Sequence, residues 1–258
     1  MKSWVNAFLI ALSMYSTIPV KILDWNQTNL RHAMVFFPFV GIFCGIGFTI
    51  VWCLSKFLHT SAFLSGVLAI LSMILLTGAI HLDGFCDTAD ALYSRRSQEE
   101  KLKILKDPHC GAFAVIAVIL VLLLQTAGYA EIFETYDAKI CGILTGGFVL
   151  SRCLSGISVM SFPCASTSSL AKTFKENAAS GSRKILILEA VVTSAILMYY
   201  FQWRAVILIA LAMLVFCYYY VMQKKQFGGM TGDLAGFFLV LCETVWILGA
   251  ALLGGILL

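Results

Sequence analysis

The sequence predicts an all-α, polytopic integral membrane protein. Apolar residues make up 60% of its 258 residues and charged residues only 12%, against roughly 45–50% and about 25% in typical soluble domains. The apolar residues also form runs of about 20, the length that a helix needs to cross a bilayer core of ~30 Å. Long apolar runs with short polar gaps favour helices, which satisfy their own backbone polar groups in lipid. This composition argues against a secreted disulfide scaffold, a disordered regulator or a nucleic-acid binder.

Seven segments are long and apolar enough to be predicted as transmembrane helices. They are 33–54, 61–80, 111–130, 139–160, 184–202, 204–222 and 235–257. The first apolar segment, 4–17, is shorter and stops at Pro19. No small-x-small cleavage site follows it at the right distance, so we expect a short or interfacial helix rather than a removed signal peptide. No repeat or linker divides the chain, and residues 1–258 are predicted to form a single transmembrane domain.

The basic residues predict the orientation of these helices. The gaps at 21–32, 81–110, 161–184 and 223–233 hold 2, 5, 4 and 2 of the 18 Lys and Arg residues. The three alternate gaps hold one each. Because loops rich in Lys and Arg stay on the cytoplasmic side, we expect the four basic gaps to face the cytoplasm.

An acidic stripe lies in the longest of these gaps. Asp83, Asp87 and Asp90 recur at i, i+4 and i+7, a spacing that places three carboxylates on one face of a helix. Three like charges repel, and a hard divalent cation is the compensation that fits best. Mg²⁺ is usually held by one or two carboxylates together with phosphate oxygens. The stripe therefore predicts a Mg²⁺ site at a diphosphate, with a solvated acidic face as the alternative.

Two further features accompany this stripe. His81 is a candidate phosphate contact or proton carrier, or else a histidine at a helix end. A glycine-rich turn precedes the last predicted helix; its candidate anion-binding residues are Gly228, Gly229, Thr231 and Gly232. Their backbone N–H groups and the following helix N-terminus would favour an anion. Asp233 would cap that helix or add a fourth carboxylate to the metal site.

Three charged residues within the predicted helices, and the nine cysteines, are the remaining candidates for a function. Arg152, Glu189 and Glu243 fall within predicted helices, where an unpaired charge is costly. We expect Arg152 to pair with one of the glutamates or to face a polar cavity. A pair that fixes helix packing and a contact to substrate are both open interpretations. The nine cysteines are scattered and no two are spaced as CxxC, so we interpret them as small apolar residues rather than metal or redox groups.

Several motifs together resemble the cobalamin synthase (adenosylcobinamide-GDP ribazoletransferase) family. The run LLTGAIHLDGFCDTADAL at 75–92 matches the family's Asp-rich signature nearly throughout, with Ala79 and Ala91 in place of glycines. Lys106-Asp107 with Gly111, the GGMTGD run at 228–233 and FFPFVG at 36–41 match its other elements. The resemblance extends over the whole chain.

The resemblance implies a Mg²⁺-dependent transferase, with residues 1–258 as one catalytic domain in the bacterial cell (inner) membrane. Its substrates would be adenosylcobinamide-GDP and α-ribazole or its 5′-phosphate, with GMP released. Asp83, Asp87, Asp90 and Asp233 would hold the metal, and His81 or Asp107 would be the base for the 5′-hydroxyl. The partners expected are these substrates and the lipid bilayer, with no nucleic acid.

Three other classes compete with this interpretation. A Mg²⁺-dependent membrane prenyltransferase also uses aspartate-rich helices, but that class needs two comparable clusters, and the second motif here offers only Asp233. A CDP-alcohol phosphotransferase would carry an Ala-Arg pair where this chain has Phe85-Cys86. A transporter would carry carboxylates across the membrane midplane, whereas these cluster at one surface.

Overall fold

The computed structural model of the protein describes residues 2–21, 32–166 and 181–253. Within these ranges the chain is helical, as predicted. The helices are α1 Lys2–Tyr15, a 3₁₀ turn Met34–Phe36, α2 Phe37–Leu58, α3 Ala62–Thr77, α4 Ile80–Tyr93, α5 Gln98–Ile104, α6 Ala112–Thr135, α7 Ile140–Ser161, α8 Ser182–Phe227 and α9 Gly232–Leu252. By length and composition, α2 with its 3₁₀ turn, α6, α7, α8 and α9 are each able to cross a membrane. The protein is therefore a multi-pass membrane protein.

Helix α8 reverses direction at Gln202, whose φ of 52° and ψ of −135° interrupt its 46 residues. Leu186 in its first half lies against Gly156 of α7. Phe162, at the end of α7, contacts the ring of Phe216 in the second half, with ring centroids 5.4 Å apart. A straight helix would separate residues 186 and 216 by about 45 Å. Because both meet the same end of α7, the two halves are antiparallel, as the predicted segments 184–202 and 204–222 require.

The predicted segment 61–80 is interrupted. Helix α3 ends at Thr77, and α4 leaves it at an angle of 97°. Gly78 and Ala79 both adopt left-handed backbone conformations, with φ of 63° and 60°. Glycine adopts this conformation freely, whereas alanine does so at a steric cost. The bend turns α4 away from the axis of α3, and its aspartates lie level with the first residues of α6 and α9. We therefore treat α4 as a helix at the membrane boundary, outside the spans.

Helix α7 forms the centre of the bundle, and most of its residues are buried. Small residues allow its neighbours to approach closely, as is common between membrane helices. A Cβ built on Gly41 of α2 would lie 2.5 Å from the Phe148 carbonyl oxygen of α7. A Cβ built on Gly147 of α7 would lie 2.4 Å from the indole nitrogen of Trp246 on α9. The outer helices instead expose apolar side chains such as Leu75, which suits contact with lipid.

Three of the basic gaps meet at one end of this bundle. Lys101 of α5 donates a hydrogen bond to the side chain of Gln226 near the end of α8. The backbone N–H of Met230 donates to the carbonyl of Pro163 over 2.8 Å. The fourth gap, 21–32, lies almost wholly outside the described residues. The convergence of these segments brings the predicted site residues of α4, of the loop before α6 and of the start of α9 to the same end of the bundle.

Candidate active site

The acidic stripe of α4 lies against the start of α9. Asp83 is exposed, while Asp87 and Asp90 are half-buried. Between them, Gly84 contacts Asp233: a Cβ built on this glycine would lie 2.9 Å from the Asp233 Cα. Only a residue without a side chain permits this approach without displacement. The structure therefore brings all four predicted metal ligands to one end of the bundle.

Helix N-termini surround these carboxylates. Asp83 lies in the first turn of α4 and Asp233 in the first turn of α9. Gly111, the N-cap of α6, lies so close to Asp90 that a Cβ there would come within 2.1 Å of its Oδ1. The positive end of a helix dipole favours a nearby anion by about 0.3–1 kcal/mol at an exposed site. This arrangement helps the chain to tolerate four like charges in a small volume.

The pKa of Asp87 reflects its burial and the repulsion between the carboxylates of the cluster. Burial, together with the charges of Asp83, Asp233 and Asp90, raises the pKa of Asp87 from 3.8 to about 6. Among the described residues, no ion pair links any of the four aspartates to a lysine or arginine. The cluster is therefore a place where a cation would relieve repulsion.

The donor set suits Mg²⁺. In the described part of the chain, no three acidic, histidine or cysteine side chains converge as a ready-made metal site. Mg²⁺ does not require such a site, because it keeps several water ligands and needs only one or two carboxylates plus phosphate oxygens. The four aspartates can supply one or two such carboxylates, because no lysine or arginine of the described residues is paired with them.

Some of the N–H groups in the glycine-rich turn already donate hydrogen bonds to a carbonyl of the same chain. The N–H groups of Gly228 and Gly229 both donate to the carbonyl of Gln223. The Thr231 hydroxyl caps α9 by accepting a hydrogen bond from the N–H of Leu234 over 3.2 Å. Gly232 is exposed, and a Cβ built on it would meet nothing within 4 Å. Of the four predicted anion-binding residues, Gly232 has the most open surroundings.

The loop before α6 contains an Asp–His pair beside the acidic stripe. Asp107 Oδ1 accepts hydrogen bonds from the backbone N–H of His109 over 3.0 Å and from its ring Nδ1 over 2.7 Å. These hydrogen bonds hold the pKa of Asp107 below its usual value. The Sγ atoms of Cys110 and Cys86 are 3.8 Å apart, which places this loop against α4. His109 was not among the predicted site residues; its i+2 spacing from Asp107 was the available signal.

His81 lies on a different face of α4 from the acidic stripe. Its ring is buried against Tyr15 and Phe37, with centroid distances of 6.0 and 5.7 Å. The Nε2 atom has no hydrogen-bond partner among the described residues. This environment separates His81 from Asp107, the other predicted base.

The predicted ion pair within the bundle is present. Arg152 of α7 donates a hydrogen bond of 2.6 Å to Glu243 of α9. The guanidinium is completely buried and also donates to the carbonyl of Phe148 over 2.9 Å. The prediction that Arg152 pairs with a glutamate is confirmed, and the partner is Glu243 rather than Glu189.

The fold and the site together define a polytopic helical membrane protein with a carboxylate cluster at one end of its bundle. Its motifs identify it further. The chain belongs to the cobalamin-5-phosphate synthase family, whose model matches residues 7–251. The resemblance stated from the motifs is thus confirmed.

Relatives similar to the whole chain are named adenosylcobinamide-GDP ribazoletransferase. One from Lachnoclostridium phytofermentans is 36% identical over 258 residues, covering 99% of this chain and 97% of its own. One from Clostridium perfringens (strain SM101) is 36% identical over 254 residues, with 96% and 98% covered. One from Fusobacterium nucleatum is 31% identical over 271 residues, with 94% and 96% covered. No solved structure matches the chain.

Proposed function

We propose that this protein is an adenosylcobinamide-GDP ribazoletransferase that requires Mg²⁺. It would transfer the cobinamide phosphoryl group of adenosylcobinamide-GDP to α-ribazole, or to its 5′-phosphate, and release GMP. The observation that carries the proposal is the meeting of Asp83, Asp87, Asp90 and Asp233 at one end of a membrane bundle. Family membership over residues 7–251 supports the same reaction.

The four aspartates would hold the cation, directly or through water. When bound, Mg²⁺ neutralises charge on the diphosphate and on the departing phosphate. Gly232, at the open start of α9, offers a backbone N–H and a helix dipole to a phosphate oxygen. In this arrangement the protein contributes mainly positioning and electrostatic stabilisation.

The reaction forms one P–O bond and breaks another. A free hydroxyl on the ribose ring attacks the phosphorus attached to the cobinamide arm, and the bond from that phosphorus to the GMP oxygen breaks. The 5′-oxygen predicted from the resemblance cannot serve for both substrates, because it already carries phosphate in α-ribazole 5′-phosphate. The hydroxyl proton passes to a base. We propose His109 for this role, because Asp107 accepts the hydrogen bond from its Nδ1 and so leaves Nε2 to receive the proton. Asp107 then positions the base. His81 is not proposed as the base, because its ring is buried against Tyr15 and Phe37 on another face of α4.

The site would face the cytoplasm of the bacterial cell from the inner membrane. The loops that meet beside the aspartates carry most of the chain's Lys and Arg residues, and such loops remain cytoplasmic.

The test is GMP release by the purified full-length protein in lipid nanodiscs. Asp83→Asn removes one proposed ligand without changing side-chain size, and we expect activity to fall about 100-fold or more. Glu134→Gln is the matched control, because Glu134 is exposed in the last turn of α6, away from the site. Full Mg²⁺-dependent turnover by Asp83→Asn would contradict the ligand assignment.

A membrane prenyltransferase is the second function that the aspartates allow. It would need a second acidic cluster facing the first, and α9 contributes Asp233 alone to this end of the described structure. The family match favours the ribazoletransferase. Incubation with a prenyl diphosphate should therefore yield no diphosphate release.

A further inference from the structure

Two cysteines meet where the loop before α6 lies against α4. The Sγ atoms of Cys86 and Cys110 are 3.8 Å apart, a distance at which one thiol donates a weak hydrogen bond to the other. Both are free thiols; Cys110 is exposed and Cys86 is half-buried. They lie 24 positions apart in the sequence, so no CxxC spacing marks them as a pair. The fold therefore creates this contact and leaves it accessible to small molecules in solution.

The two cysteines lie within the proposed reaction centre. Cys86 shares a helix face with the acidic stripe, because it lies three positions after Asp83 and four positions before Asp90. Cys110 directly follows His109, the proposed base. A bond between the two sulfur atoms would therefore join the loop that carries the base to the helix that carries the carboxylates.

We propose that Cys86 and Cys110 form a reversible disulfide that switches the enzyme off; the inference rests on the proposed function. The oxidant is a low-molecular-weight disulfide such as oxidised glutathione. The exposed Cys110 attacks one sulfur of the oxidant, which gives a mixed disulfide and releases one thiol. Cys86 then attacks the Cys110 sulfur and displaces the second thiol. The two cysteines thus lose two electrons and two protons, and the oxidant is reduced to two thiols.

The disulfide would change the geometry of the site. Bonded sulfur atoms lie about 2.05 Å apart, so the two Sγ atoms must approach by roughly 1.8 Å from their present contact. Gly111, which follows Cys110, is already in contact with the Asp90 carboxylate. The movement therefore falls on the side of the loop that carries His109. Because displacement of a catalytic group by about 1 Å can lower the rate by about 10²-fold, we expect the oxidised form to be the inactive one.

The position of the pair suits a switch rather than a structural bridge. Exposed disulfides are reduced more readily than buried ones, and disulfides in reducing compartments are usually transient and regulatory. The loop before α6 is one of the loops assigned above to the cytoplasmic side. Buried cysteines of the bundle, such as Cys153 and Cys242, are out of reach of such an oxidant. Oxidation should therefore be selective for the exposed pair beside the aspartates.

The test treats the reduced full-length protein, in lipid nanodiscs, with oxidised glutathione. Peptide mapping by mass spectrometry measures the Cys86–Cys110 disulfide, and GMP release is assayed on the same samples. We expect activity to fall by about 10- to 100-fold as the disulfide forms, and dithiothreitol to restore it. Glutathione adducts without the disulfide, or a complete disulfide with unchanged activity, would overturn the proposal.

Two variants assign the effect to this pair. Cys86→Ala/Cys110→Ser removes both thiols, so its activity in oxidised glutathione should stay within about twofold of its reduced value. Cys53→Ser is the control, because it removes another exposed thiol near the far end of α2; it should be inactivated like the wild type. Equal inactivation of the double variant, or resistance of the control, would overturn the proposal. If the double variant does not fold, the wild-type relation between disulfide and activity still decides.

The two readouts separate this inference from the proposed function, because mass spectrometry detects the disulfide without turnover. A reduced wild type that releases no GMP would reject the proposed function, and the switch with it, even if the disulfide forms. A reduced wild type that releases GMP and is unaffected by the disulfide would reject the switch and leave the reaction standing.

Discussion

Gly84 of α4 and Asp233 of α9 are in backbone contact: a Cβ built on Gly84 would lie 2.9 Å from both the Cα and the carbonyl oxygen of Asp233. The residues are far apart in sequence, and their contact joins the two acidic motifs into one cluster. The stacked rings of Phe85 and Phe237, with centroids 5.2 Å apart, extend the same helix contact. The distance between α4 and α9 therefore determines the geometry of the proposed cation site.

Gly84→Ala should separate these helices. The added methyl group meets backbone atoms, which cannot rotate away, and overpacking of this kind costs about 1–3 kcal/mol. We expect a lower unfolding temperature and a Mg²⁺ requirement raised by about tenfold, measured by GMP release against Mg²⁺ concentration. Gly181→Ala is the control, since a Cβ there meets nothing within 4 Å. Equal behaviour of the two variants would show that the contact does not set the site.

The pKa of Asp87 predicts how pH and Mg²⁺ act on stability. Its pKa is raised to about 6 in the folded protein, so the protonated form stabilises the fold fully below pH ~4. That stabilisation is lost as the pH rises through about 6. We expect the cation-free protein to unfold at a lower temperature at pH 7.5 than at pH 5, and millimolar Mg²⁺ to reverse the loss. Asp87→Asn should flatten this dependence; the same slope in the variant would contradict the prediction.

His109→Asn should lower kcat by about 10²- to 10⁴-fold, the usual contribution of a general base. Asp107→Asn, which leaves His109 in place but without its carboxylate partner, should have a smaller effect. His59→Asn is the control, because His59 is exposed at the end of α2 and its left-handed φ of 52° suits asparagine. An unchanged kcat in His109→Asn would reject the base assignment.

The buried ion pair predicts non-additive mutations. Arg152→Met leaves Glu243 buried without its partner, and breaking such a pair typically costs about 3–5 kcal/mol. The double variant Arg152→Met/Glu243→Gln should lose less stability than the two single changes added together. Reversible unfolding in mixed micelles measures this. The exposed pair Lys139–Asp137, 3.7 Å apart, provides a control cycle with an expected coupling of about 0–1 kcal/mol.

The reversal within α8 predicts the positions of reporter fusions. If the proposed orientation holds, alkaline phosphatase fused after Trp203 lies outside the cytoplasm and is active. The same reporter fused after Gln226 stays in the cytoplasm and is inactive. Equal activity at both positions would contradict the antiparallel arrangement, and the reverse pattern would invert the orientation.

Much of the architecture could be predicted from the sequence because its causes are local. Apolar runs of bilayer length predict helices wherever they occur, and the spacing of Asp83, Asp87 and Asp90 places them on one face of α4. Even the reversal between 202 and 204 was predictable, because a continuous apolar stretch of that length cannot lie in one crossing. The interruption after Thr77 was missed, because Ala79 adopts a backbone conformation that its residue type disfavours.

The contacts between helices depend on packing, which sequence periodicity does not encode. The choice of Glu243 over Glu189 as the partner of Arg152 depends on which face of α7 meets which neighbour. The orientation of Nδ1 of His109 toward Asp107 depends on the conformation of one loop, and the small pocket beside His81 forms only where six helices meet. The sequence by itself determined that this is a membrane protein with an acidic helix at its boundary, because hydrophobic length and helical periodicity act along the chain. Only the tertiary structure decided how Asp233 joins that helix, because the close approach of backbones at Gly84 is a property of two helices together.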